Sequence, residues 1–365
     1  MTYKILATKW RPKNFSDVVG QEHVLEALIN SFSLGRIHHS YIFSGIRGVG
    51  KTTIARILAK CFSCEVGISS IPCNLCNNCL AINQGKFVDL VEIDAASRTK
   101  VEEMRDLLDN IQYAPMNGRF KIYLIDEIHM LSRHSFNALL KTLEEPPSHI
   151  KFLFATTELN KIPATVLSRC MKFYLKKIKV NQIYEKISYI LSKEKIFSEP
   201  GSLEILSRSA DGSMRDALSL TDQAIALCNG NITNAGVNTM IGISDSEYPL
   251  CLIETLVKGD GEKLIKLLNK LELMGYIDWE ILLIDILRFL HHILIIQLLP
   301  KLLVNTEEND QTIRLNKLAE ILSPNDLQLY YQIILMGRKD LPLAPNYRMG
   351  IDITLLRALA FTHQN

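Results

Sequence analysis

The chain has almost no charge imbalance, no uninterrupted apolar run of membrane length, and no internal repeat or low-complexity segment. Each absence excludes something. A net charge of +2 over 365 residues excludes a protein that grips nucleic acid along its whole surface; any such contact must come from a local patch or a larger assembly. Lys4, Lys9, Arg11 and Lys13 interrupt the apolar residues near the start, so no secretory core is expected there. The most apolar stretch, 281–299, carries Asp285, Arg288, His291, His292 and Gln297, too many polar groups for a comfortable membrane span. The expected compartment is the cytoplasm. What remains, 47% hydrophobic and 22% charged, is the composition of an ordinary globular protein. Its length has room for roughly two to three domains.

The stretch Gly45-Ile46-Arg47-Gly48-Val49-Gly50-Lys51-Thr52 reads G-x-x-x-x-G-K-T, a phosphate-binding loop. Its glycines let successive backbone N–H groups turn inward on an anion, Lys51 can reach the outer phosphates, and the Thr52 hydroxyl suits Mg²⁺. The context agrees. Tyr41-Ile42-Phe43 before the loop reads as a buried strand, and residues 53–61 after it have helical periodicity through Ile54, Leu58 and Cys61. Phosphates would sit at that helix N-terminus, where backbone donors and the dipole favour negative charge, with Thr53 in its first turn.

Apolar runs at 89–93, 122–125, 152–155 and 171–175 read as further strands, with helices over 101–111 and 135–143 between them. Near-continuous apolar strands alternating with helices predict a parallel, five-stranded α/β sheet covered on both faces, its ligands at the carboxyl ends of the strands. Residues 22–34 form an earlier helix ending at Gly35. Residues 180–227 read as three short helices, and 243–361 as long Leu/Ile-rich helices with no strand pattern. The expected domains are 1–178 for nucleotide, 179–242 as a small helical lid and 243–365 as an all-α region.

Asp126 and Glu127 end the third strand. One carboxylate there can hold Mg²⁺ and the next can orient a water, although acids after a strand are also common caps. His129 is a third candidate, with a satisfied surface histidine as the plainer reading. Thr156 and Thr157 end the fourth strand; side chains alternate along a strand, so only one can face the site, and Thr157 is favoured. Arg169 follows a helix end and is either a surface charge or a finger offered to a neighbouring subunit's γ-phosphate. Arg215 opens a lid helix and either reports nucleotide or pairs with Asp211 or Asp216. Val18 and Val19 could wall a base; two valines are also simply core.

Cys64, Cys73, Cys76 and Cys79 read C-x8-C-x2-C-x2-C. Four thiolates suit a closed, structural zinc site, within a module over 61–80. Cys61 competes as a ligand, but it shares the apolar face of Ile54 and Leu58 and is assigned to the core. Ser97-Arg98-Thr99-Lys100 precedes the 101–111 helix, with a capping-box spacing from Thr99 to Glu102 and two cations suited to a DNA phosphate or to solvent.

Taken together, the phosphate loop, Asp126-Glu127, Ser168-Arg169-Cys170, Gly212-Ser213-Met214-Arg215-Asp216 and the four cysteines resemble the bacterial DNA polymerase III gamma/tau family. These are the ATPases of the sliding-clamp loader, in the AAA+ class. Asp94-Ala95-Ala96-Ser97-Arg98 and the run from Leu139 through Pro147 resemble it too. The resemblance implies an AAA+ domain with an inserted zinc module, a lid, and a collar by which subunits associate. It implies ATP and Mg²⁺ at Lys51 and Thr52, metal at Asp126, water activation by Glu127, sensors at Thr157 and Arg215, and an arginine finger in trans at Arg169. Trp10-Arg11-Pro12 and Val18-Val19-Gly20 match the family's adenine side. Implied partners are copies of itself, the delta and delta-prime subunits, the beta sliding clamp and primer–template DNA. The chain stops at Asn365, so the tau tail's contacts with helicase and polymerase core are not expected. A polymerase label would belong to the holoenzyme, since no polymerase site is apparent. A helicase or branch-migration motor of the same class is the alternative, and it would unwind DNA unaided.

Overall fold

The computed structural model describes residues 5–96, 111, 113–241, 247–273, 278–299 and 310–362. The expected helix over 101–111, the Thr99–Glu102 capping box and the cations Arg98 and Lys100 lie outside the described residues, apart from the end residue Ile111. The chain forms two compact units, 1–232 and 233–365.

In the first unit, β1 (Ser40–Ser44), β2 (Leu90–Asp94), β3 (Lys121–Asp126), β4 (Ile150–Thr156) and β5 (Met171–Tyr174) build one parallel sheet in the order β2-β3-β4-β1-β5. Every residue of β1 and β4 is buried, whereas β2 and β5 at the edges alternate with exposed positions. A strand covered on both faces has no polar side to alternate with, which is why the inner strands read as continuous apolar runs. The period of two instead sorts side chains between two cores. Tyr41, Phe43, Ile122, Leu124 and Leu153 meet Ile54, Ile57, Leu58 and Phe62 of the helix Lys51–Ser63. Ile42, Tyr123, Ile125, Phe152 and Phe154 meet Phe136, Leu139 and Leu143 of the helix Arg133–Glu144. Cys61 is fully buried in the first of these cores, as its helical position predicts, and burial pushes its thiol pKa up.

Three helices, Val180–Glu194, Pro200–Ser209 and Met214–Leu227, follow β5 as expected. The short N-terminal turn Leu6–Lys9 is tied to them: Leu6 packs with Ile190 and Leu218, and its N–H donates to Asp222 Oδ2 at 2.8 Å.

The second unit is all helix among its described residues. It starts with Asn234–Ile241, and the lid boundary expected at 242 falls just beyond that helix, in residues outside the described set. Among the described residues, Trp279–Leu298 alone has the length and apolarity to cross a membrane. It is instead a core helix along one face, burying Leu282, Leu283, Ile286, Leu290 and Ile293 against the unit's leucine-rich interior. Asp285 pairs with Arg288 at 3.0 Å, and burial raises its pKa.

Candidate nucleotide site and cysteine cluster

The loop after β1 and the carboxyl ends of β2 and β3 meet at one cleft of about 690 Å³. Gly45 to Gly50 turn there with positive φ at Gly45 (151°), Gly48 (80°) and Gly50 (105°), the last being the cap of the helix Lys51–Ser63. Gly45 must be glycine for space as well, because a Cβ would lie 2.6 Å from the Leu175 carbonyl. Lys51 is buried, and its Nζ donates to the carbonyls of Gly45 (2.9 Å) and Ile46 (3.0 Å). Burial lowers its pKa while Glu127 and Asp126 oppose that fall. Thr52 Oγ1 donates to Asp126 Oδ2 at 2.8 Å, so the two groups suited to Mg²⁺ sit within reach of one ion.

Glu127 stands beside them in a left-handed conformation, φ 47° and ψ 46°. For a residue with a Cβ that conformation costs about 1–2 kcal/mol, a strain typical of functional positions. Its Oε2 accepts from both the N–H and the hydroxyl of Thr157, each at 3.0 Å. Thr156 is fully buried and turns its hydroxyl to His129 Nδ1 at 3.0 Å. Of the two threonines, Thr157 therefore faces the acid pair. His129 departs from its plainer reading: its side chain is only 6% exposed, packed under the acids instead of standing on the surface.

Arg11, Trp10, Val18 and Val19 all line the cleft, with Arg47, Val49 and Thr53. Arg11 Nε donates to Thr53 Oγ1 at 3.2 Å, and burial with Arg56 nearby lowers its pKa to about 10. It thus reaches the phosphate-loop helix. Sequence reasoning missed Ile178, Lys186, Ile190, Met214 and Leu218, which close the cleft from the lid side. For Ile190, Met214 and Leu218 the only signal was the apolar face of the lid helices.

Arg215 lines the cleft too, and its N–H reaches the Gly48 carbonyl at 3.4 Å. The alternative ion pair does not form: Asp211 is held by Lys177 at 2.7 Å. Arg169 lies outside the cleft. Its guanidinium pairs with Glu144 (2.7 Å) and the Thr165 carbonyl (2.7 Å), one-third exposed.

The four cysteines converge after the same helix. Their sulfurs all lie within 4.8 Å of one another, with Cys73 and Cys79 Sγ 4.0 Å apart. A tetrahedral tetrathiolate with metal–sulfur bonds of about 2.3 Å requires roughly 3.8 Å between sulfurs, so the donor set fits zinc. Backbone N–H groups already point at the sulfurs, Cys76 N to Cys73 Sγ (3.3 Å) and Cys79 N to Cys76 Sγ (3.4 Å). The N–H groups of Leu75 and Cys76 bring the Cys73 thiol pKa down to about 6, whereas burial raises that of Cys79. Buried Lys60 stands beside the cluster, donating to Asn74 Oδ1 (2.8 Å) and to the Lys13 carbonyl; Asn74 Nδ2 in turn donates to Asn14 Oδ1 at 2.6 Å.

Known proteins agree with this architecture. Residues 20–179 match the family described as DNA polymerase III, delta subunit, and 182–230 the DNA polymerase III clamp loader subunit, ATPase lid domain. Residues 232–364 match DNA polymerase III subunits gamma and tau domain III. DNA polymerase III subunit tau of Escherichia coli is 58% identical over 361 residues, covering 99% of this chain and 56% of that relative; the chain spans about half the length of such relatives. DNA polymerase III subunit gamma of Buchnera aphidicola subsp. Baizongia pistaciae is 51% identical over 359 residues, covering 98% of this chain and 97% of that one. Among solved structures, RuvB of Thermotoga maritima aligns over 74% of this chain and 86% of its own at 19% identity and a TM-score of 0.49, too shallow a likeness to bear on function. On sequence matched along its whole length, the chain belongs to the DNA polymerase III gamma/tau family.

Proposed function

We propose that the chain is an ATPase subunit of the DNA polymerase III clamp loader, acting in the cytoplasm to place the sliding clamp on primed DNA. The observation that carries this reading is the division of charges around the cleft. Lys51, Arg47, Arg11 and Arg215 border it, yet Arg169 faces away, paired to Glu144 on the outer surface. A triphosphate bound here would have this chain's own lysine and lid arginine, and would still lack the further cation that phosphoryl transfer commonly recruits from a neighbour.

In this reading the loop N–H groups and Lys51 bind the β- and γ-phosphates of ATP, and Thr52 with Asp126 would hold the Mg²⁺ that neutralises their charge. Glu127 takes the proton of the attacking water, held by Thr157. Arg215, at the start of the lid helix and in contact with Gly48, reports the outer phosphate to the lid. Val18, Val19 and Met214 wall the base. Cys64, Cys73, Cys76 and Cys79 would hold structural zinc, which ties down the excursion after the phosphate-loop helix and leaves no coordination position for chemistry.

The partners in this proposal are copies of this chain, the delta and delta-prime subunits, the clamp and primer–template DNA. ATP would favour the clamp-opening state only by its differential affinity for that state. DNA would then trigger hydrolysis through Arg169 of the adjacent chain. The test is ATP turnover by the chain alone and with partner subunits, clamp and primed DNA. Stimulation by the full set is expected, and Lys51→Ala should abolish nucleotide binding. An active Lys51→Ala chain, or strand separation by the chain unaided, would overturn the reading.

A further inference from the structure

His129 is unused in the account so far, yet its side chain is enclosed beside the acid pair. It sits in the single turn Ile128–Met130 directly after Glu127, with its side chain 6% exposed. Its Nδ1 lies 3.0 Å from Thr156 Oγ1 and 3.4 Å from Glu127 Oε2, and its Nε2 lies 3.6 Å from Glu158 Oε1. Thr156 Oγ1 is itself fixed, accepting from the Glu158 N–H at 3.1 Å. The ring is therefore clamped between the tip of β4 and the carboxylate that the proposed reaction needs.

The contacts on Glu127 are one-sided. Oε2 receives the Thr157 N–H and the Thr157 hydroxyl and has the His129 ring 3.4 Å away, while Oε1 has no partner among the described residues. A carboxylate anchored through one oxygen presents the other in a fixed direction, and Glu127 borders the cleft. Its left-handed backbone would otherwise relax toward ordinary values and swing the side chain away. We infer that His129 is a positioning residue. With its proton on Nδ1 it donates to Thr156 Oγ1, and the ring so held stands 3.4 Å from Glu127 Oε2 and backs that oxygen, so that Oε1 is the oxygen left for the attacking water.

This inference rests on the proposed ATPase reading, and the experiment separates the two. In the assembled loader with clamp and primed DNA, kcat and KM for ATP are measured for wild type, His129→Ala, His129→Asn and His129→Gln, with Lys51→Ala as the binding-defective control. The asparagine amide can stand where Nδ1 stood, whereas glutamine places its amide nearer the Nε2 position. A misplaced reacting group costs up to about 100-fold. His129→Ala should thus lower kcat about 10- to 100-fold at unchanged KM, His129→Asn should recover to within about threefold of wild type, and His129→Gln should stay below it. Should the alanine chain fail to fold, the asparagine–glutamine difference decides alone. A kcat within twofold of wild type for His129→Ala, a loss shared by KM, or equal rates for asparagine and glutamine would each overturn the inference while leaving the ATPase reading intact. Absence of ATP turnover in the wild-type loader would instead remove the reading on which it rests.

Discussion

Gly48→Ala tests the contact between the phosphate loop and the lid. Gly48 has φ +80°, and a Cβ there would lie 1.9 Å from Ser213 Oγ and 3.2 Å from the Cβ of Arg215. Ser213 is buried and caps the helix Met214–Leu227, accepting from the Asp216 N–H at 3.2 Å. Alanine at positive φ costs about 1–2 kcal/mol. Clearing the methyl forces Ser213 off its cap, a further loss of about 1 kcal/mol. The sum is about 2–3 kcal/mol, which in a unit of this size lowers Tm by about 4 to 12 °C. Ser213→Gly should relieve the clash, since glycine is a cap only a few tenths weaker. The double variant Gly48→Ala/Ser213→Gly should therefore recover about 1 kcal/mol relative to Gly48→Ala, an interaction expected only between touching residues. Denaturant melts of all four chains decide it. A Gly48→Ala chain as stable as wild type, or strict additivity in the double variant, would refute the reasoning.

On the proposed zinc site, Cys76→Ser should bind no zinc and lose a large part of the module's stability; an unchanged metal content by elemental analysis would remove the cysteine assignment. In metal-free protein, iodoacetamide should label Cys73 before Cys79, because Cys73 titrates near 6 and Cys79 well above its ordinary value. The thiolate is the nucleophile, so Cys73 labelling should fall as pH drops through about 6; a rate independent of pH there would contradict the N–H···S geometry. Asn74→Ala leaves buried Lys60 without its side-chain acceptor and should destabilise the first unit by about 1–3 kcal/mol while metal content stays the same, as a urea titration would show.

Much of this was legible before the structure. The central strands announced themselves because burial on both faces leaves continuous apolar runs, and the glycine-lysine-threonine loop and cysteine spacing demand particular chemistry at particular positions. What escaped was set by tertiary packing. Nothing local distinguishes His129 from a surface histidine, since its burial depends on Thr156 and Glu158 some thirty residues on (129 to 158). The choice between Thr156 and Thr157 needed the register: Thr156 pairs with Ser44 inside the sheet, and Thr157 is the first residue past it. The lid's Met214 and Leu218 are apolar positions on a helix like many others, and only the fold brings them to the cleft. Arg215 and Arg169 were alike as sequence, two arginines beside helix termini. Their separation, one lining the cleft and one outside it, is a property of three dimensions.

The central claim is that one chain holds the triphosphate while its neighbour supplies Arg169, and a mixing experiment reaches it most directly. On this claim Lys51→Ala chains should keep the arginine without binding ATP, and Arg169→Ala chains should bind ATP while offering no arginine. Each, assembled with partner subunits, clamp and primed DNA, should turn over ATP far more slowly than wild type. Co-assembled, they should regain turnover, because an Arg169→Ala site can sit beside an intact guanidinium. A mixture no more active than its two components would place Arg169 with its own chain's nucleotide and contradict the account.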